Sequence, residues 1–239
     1  MTHRALTDRA QDVARSPHTC HGVHMLADVA TELYGLTPDR FTAERNRRAG
    51  ELRGSDRALA DAVRALPKPS TSAWLVDMLV RHRPPLVAEL LALGAAMREA
   101  QADLDEVTLR RLGHDRRPLV GAIAREGLAV AEQLGHPVGA GAAAEVEATL
   151  QAALADADAA SAVASGLLVR ALAPGGFDRV DLDGAVAVPG VVGPGAAGAG
   201  ADADAGAGGA SAASAREAAA RAARAARDAQ RAADRAERA

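Results

Sequence analysis

A chain of 239 residues that carries one Trp, one Tyr and two Phe has few large side chains from which to build a core. Aromatics make up 2% of the sequence, and much of the 49% hydrophobic content is alanine. Alanine removes little apolar area from water, so the core must come from scattered Leu, Val, Ile and Met. Alanine is also the strongest helix former, whereas a sheet would draw on Val, Ile and aromatics. The expectation is a mainly α protein, a multi-helix, bundle-like domain.

Periodicity and punctuation place the elements. Residues 1–24 are polar and lack a sustained period, so they read as a disordered leader ahead of a domain at 25–189. "LADVATELYGL" sets Leu26, Val29, Ala30 and Leu33 on one helical side. Thr37 before Pro38 opens a charged helix, and Ser55 starts the next, which ends at Pro67. Ser70 or Ser72 caps a helix with Trp74, Leu75, Met78 and Leu79 on its apolar side. A long helix from Pro84-Pro85 reaches about Leu104, and another runs from Glu106 to Leu134, where Pro118 should kink or divide it. Further helices surround Val146–Leu154 and Ala159–Ala164, the second ending at Gly166. In "RVDLDGAVAV" the period shifts to two around Asp183-Gly184, which predicts a small β-hairpin at 179–188. Residues 190–214 read as a flexible Gly/Ala linker. Residues 215–239, with seven Arg, four acids and no large apolar residue, read as a solvated helix.

Charge and cysteine content narrow the function classes. Net charge is −3, which gives no global pull towards nucleic acid or an anionic membrane. Lys68 is the only lysine among 28 basic side chains, a bias that high-GC coding produces by itself. One cysteine excludes an internal disulfide and fits a reducing, cytoplasmic setting. No secretory leader and no uninterrupted apolar span of about 18 residues is evident, so no membrane partner is expected.

The order of motifs "LYGLTPDRFTAERNRR", "GSDRALA", "LPKPSTSAWLVDMLVR" and "GFDRVDLDGAVAVP" resembles a helical family of high-GC bacteria. The likeness covers residues 26–189. That family carries no established activity, so the resemblance implies architecture, including a long coiled region after the domain, and no mechanism. Two departures stand out: Asp77 occupies a position where such sequences more often have asparagine, and the tail here is short.

Few groups of residues offer chemistry. His18, Cys20, His21 and His24 are zinc-type ligands, but they crowd into seven residues and a tetrahedral site usually draws on two separated segments. No metal site is assigned to them. "DRVDLDG" has a superficial likeness to a calcium loop but lacks the glutamate at its twelfth position. There is no G-x-S-x-G, H-E-x-x-H or P-loop, so no catalytic residue, no cofactor and no enzyme activity are expected. Basic residues cluster at 40–68, and Arg45, Arg47, Arg48, Arg53 and Arg57 are candidate nucleic-acid contacts. Interleaved acids favour a solvated, salt-bridged face instead. Arg110, His114 and Arg117 lie at i, i+4, i+7 and could hold an anion, although Glu106 and Asp115 suggest ordinary surface. Trp74 is either core or the anchor for a protein partner. The favoured reading is a non-enzymatic interaction or regulatory scaffold, with a nucleic-acid-associated regulator as the alternative.

Overall fold

The computed structural model describes the backbone of residues 17–175 and 179–189 and, within these, every side chain except those of 17–22, 115 and 140. The expected linker at 190–214, the expected helix at 215–239 and most of the expected leader lie outside the described residues.

Local signals set most helix ends. The first helix, α1, is Pro17–Tyr34. It runs through Met25 without a break, so the boundary expected at 24/25 falls inside a helix. Val23, His24 and Met25 are exposed, and Ala27 is the first buried residue among the side chains described. Thr37 precedes α2, Pro38–Leu52, with Pro38 in its first turn. Asp56, not Ser55, caps α3, Arg57–Ala65, by accepting the Leu59 N–H at 2.9 Å. Ser70 caps α4, Thr71–His82, through the Ala73 N–H. Pro84–Ala102 forms α5 and Glu106–Gln133 forms α6. Pro118 lies inside α6 without dividing it, and both Pro118 and His114, whose carbonyl loses its partner, face solvent. Then come α7, Ala140–Ala155, and α8, Ala157–Ser165. Asp156 caps α8, and Gly166 at φ +62° ends it in the left-handed conformation.

Among the described residues these eight helices make an all-α bundle of two apolar clusters. In the smaller, α1, α2 and α3 bury Leu33, Tyr34, Phe41, Leu59 and Val63, with Tyr34 and Phe41 edge to face at 5.1 Å. The larger surrounds α4 with α5, α6, α7 and α8. Every residue of α4 from Ser72 to Val80 is buried, as expected of a helix packed on all sides. Glycine lets α5 and α7 cross closely: a Cβ on Gly94 would lie 3.0 Å from Leu154 Cα.

The expected β-hairpin at 179–188 does not form. Its turn exists, with Gly184 at φ +60° and the Ala185 N–H bonded to the Leu182 carbonyl at 3.0 Å. The segment after the turn pairs elsewhere. Val169 N–H reaches Ala185 O at 2.8 Å and Ala187 N–H reaches Leu167 O at 2.9 Å, which leaves an isolated antiparallel bridge of Leu168 with Val186 and no strand among the described residues. An isolated two-stranded hairpin is marginal in water, and pairing across the bundle buries more. Successive side chains of an extended segment point to opposite sides. Leu167 and Val188 therefore enter the smaller cluster while Leu168 and Ala185 enter the larger, and the pairing ties the two together.

Candidate functional site

Inside the bundle the chemistry converges on α4. Asp77 interrupts the apolar run "AWLVDMLV" and is fully buried. Its Oδ1 accepts the Leu168 N–H at 3.0 Å, so the residue anchors the 167–169 segment that pairs with 185–187. Oδ2 has no hydrogen-bond partner among the described residues. Burial pushes the carboxyl well above the usual carboxylate range, and the nearby Arg81 guanidinium opposes that only in part. Tyr34 donates from its hydroxyl to the Pro67 carbonyl, and its pKa is raised by burial and by the Asp77 charge.

Arg81 is the positive counterpart. Its guanidinium donates to Asp77 O at 3.1 Å, Gly166 O at 2.8 Å and Thr31 O at 3.1 Å. Thr31 lies in the last turn of α1 and Gly166 ends α8, while Asp77 is one turn back from Arg81 within α4. One cation thus meets the negative ends of two helix dipoles, those of α1 and α8. Burial lowers its pKa and Asp77 raises it.

Trp74 lies in the core at 0% exposure, in a T-shaped contact with His136 whose ring centroids are 5.1 Å apart. It therefore offers no face to a partner, and the anchor reading is corrected to a core role. Its Nε1 has no hydrogen-bond partner among the described residues. Beside it, Ser72 donates to Glu145 Oε2 at 2.6 Å.

The basic face at 40–68 is engaged within the chain in part. Arg45 donates to Leu66 O at 2.8 Å and also meets Asn46. Arg47 is held by Glu44 and Glu51, and Arg48 by Glu32. Arg57 lies 4.0 Å from Asp61. Arg53 is exposed at the end of α2. His24 is exposed, while the side chains of His18, Cys20 and His21 lie outside those described. Among the described residues no three His, Cys, Asp or Glu side chains gather closely enough to hold a metal ion. No described helix is long and apolar enough to cross a membrane.

The surface feature that sequence reasoning missed is the end of the α5–α6 helical hairpin. Leu104 is 84% exposed and Val107 76%. Leu104 also has φ +55°, the one non-glycine residue with positive φ among those described. It occupies the left-handed position of a helix-ending turn, in which the Asp105 N–H bonds to Ala100 O at 2.9 Å. The same turn ends α6, where His136 N–H bonds to Ala131 O, but there the position belongs to Gly135 at φ +70°. The only signal in the sequence was a Leu and a Val set among acids in "DLDEV". Next along α6 are Arg110, Arg111, His114, Arg116 and Arg117, all exposed. Arg110 lies 3.7 Å from Glu106, and Arg116 and Arg117 have no acceptor among the described residues. Comparison with protein-family models, with curated proteins and with solved structures returns no match for this chain.

Proposed function

We propose that the chain is a non-enzymatic interaction module whose contact surface is the end of the α5–α6 hairpin. The observation that carries this reading is Leu104: a branched side chain in a left-handed conformation, 84% exposed. Glycine there would relieve backbone strain and remove apolar surface from water, so neither backbone preference nor burial explains the leucine. Val107 enlarges the apolar patch, and the guanidiniums of Arg111, Arg116 and Arg117 lie farther along the same helix. The complementary partner is a protein segment that brings an apolar side chain flanked by carboxylates. A cytoplasmic setting accords with the single cysteine. Nucleic-acid binding through the 40–68 face has less support, because Arg45, Arg47 and Arg48 already have acceptors within the chain.

The test compares three baits: the full chain, the double variant Leu104→Gly/Val107→Ser, and a version lacking 190–239. Proteins retained by the full chain and by the shortened one, but lost from the double variant, are the expected outcome. Retention by the double variant with loss from the shortened chain would move the contact to the tail and overturn the reading.

A further inference from the structure

A cleft of about 280 Å³ opens between the last turns of α5, the first half of α6 and the α7–α8 junction. Neither Leu104 nor Val107 lines it, so its apolar walls are separate from the apolar patch at the hairpin end, while Arg116 borders both. Its walls include Met97, Leu109, Leu154 and Val180. Leu154 and Val180 are almost fully buried, while Met97 and Leu109 are half-buried, so an apolar ligand chain would meet a packed floor and a partly open rim.

The polar lining consists of Arg98, Arg116, Gln101 and Asp156. Asp156 is already engaged: it accepts the N–H groups of Asp158 at 2.8 Å and Ala159 at 2.9 Å. Those bonds, that from Ala159 first, hold its carboxyl below the usual range. Arg98 directs Nη1 to the carbonyls of Ala153 at 3.2 Å and Leu154 at 3.0 Å, which fixes the side chain across the end of α7. Its Nε and Nη2 have no acceptor among the described residues, and neither has any nitrogen of Arg116. The lining therefore combines an immobilised guanidinium with free donors, a second free guanidinium, and a carboxylate already bound to backbone N–H groups.

We infer that this cleft binds a small monocarboxylate, its carboxylate on Arg116 and the free edge of Arg98 and its short apolar chain on Leu154 and Val180. Guanidinium groups match a carboxylate with paired, charge-assisted hydrogen bonds, which an alcohol or an amine cannot reproduce. At about 280 Å³ the cleft falls just below the roughly 300–1,000 Å³ of pockets that hold drug-sized ligands, so it suits a smaller molecule such as an acid of roughly six to eight carbons. The same chemistry is presented by the free carboxyl end of a peptide whose last residue is apolar.

The experiment is calorimetric titration of the full chain with hexanoate, octanoate, hexanol and hexylamine. Hexanoate and octanoate are expected to bind, with hexanol at least tenfold weaker and hexylamine silent. Arg116 is exposed, so Arg116→Gln should fold normally; it is expected to weaken hexanoate about tenfold, with Arg116→Lys recovering part of the loss. No saturable heat from either acid up to about 10 mM, beyond the range of a weak specific ligand, would overturn the inference. So would equal affinity for hexanol, or an unchanged affinity in Arg116→Gln. A leucine-ended peptide that displaces hexanoate only with a free carboxyl group would identify a protein terminus as the source. Hexanoate binding without such displacement would identify a free acid.

Discussion

Replacing Asp77 by asparagine gives the sharpest test of the buried centre. In the folded protein the carboxyl is fully buried, accepts one N–H through Oδ1 and has no partner for Oδ2 among the described residues. Desolvation by burial holds its pKa well above that of an unfolded carboxyl. The folded state therefore keeps a proton that the unfolded state releases once the pH passes about 4. Below that point both states are protonated and the group leaves stability unaffected by pH. Above it, each pH unit favours the unfolded state by about tenfold, until the folded carboxyl itself ionises. Asparagine keeps the acceptor for Leu168 and carries no titrating proton. Urea unfolding of both proteins from about pH 5 to about pH 8 should then show Asp77→Asn gaining on the wild type, by at most about tenfold in the folding equilibrium per pH unit and only up to the pH at which the folded carboxyl ionises. The comparison uses slopes, so any constant cost of the new amide N–H groups cancels. Parallel curves, or a wild type that gains on the variant as pH rises, would refute the reasoning. The second result would mean that Arg81 stabilises an ionised Asp77 more than burial destabilises it.

Three other substitutions test the geometry. Leu104→Gly should raise stability by about 1 kcal/mol, read as a higher urea midpoint, because glycine adopts the left-handed conformation without steric cost. Gly94→Ala should destabilise by about 1–2 kcal/mol despite better helix propensity, since the new Cβ would lie 3.0 Å from Leu154 Cα and 3.1 Å from its carbonyl oxygen. Arg81→Met should cost about 2–4 kcal/mol in chemical denaturation, as the carbonyls of Thr31, Asp77 and Gly166 lose a charged donor. Arg81→Lys should fall between, because one ammonium cannot reproduce the planar fork.

Most helix ends were legible in the sequence because their signals were local, although the start of α3 was read one residue early, at Ser55 instead of Asp56. Ser70, Pro38 at the first position of α2, and Gly166 after α8 each act within a few residues of themselves, through a cap bond, a fixed φ or a left-handed turn. Shortage of aromatics and abundance of alanine likewise pointed to helices, since propensity is a property of the residue. Pro118 shows the limit of that logic: the lost hydrogen bond faces solvent, and packing of α6 against α4, α5 and α7 outweighs it.

Tertiary structure decided what depends on residues far apart in the chain. The turn at Asp183-Gly184 was readable because it closes over a few residues, but the partner of residues 185–187 is 167–169, and alternation along a segment cannot name its partner. Asp77 looked like one polar residue in an apolar run; only packing of α4 on every side makes it a buried, unevenly bonded carboxyl. The candidate surfaces were hidden for the same reason. Exposure of Leu104 and convergence of Arg98, Arg116 and Leu154 on one cleft depend on where α5 and α6 turn and how closely Gly94 lets α5 approach α7. The sequence by itself determined which segments become helices, because capping and propensity act over a few residues. Which side chains those helices bury, expose or bring together was decided by contacts that exist only once the helices have packed.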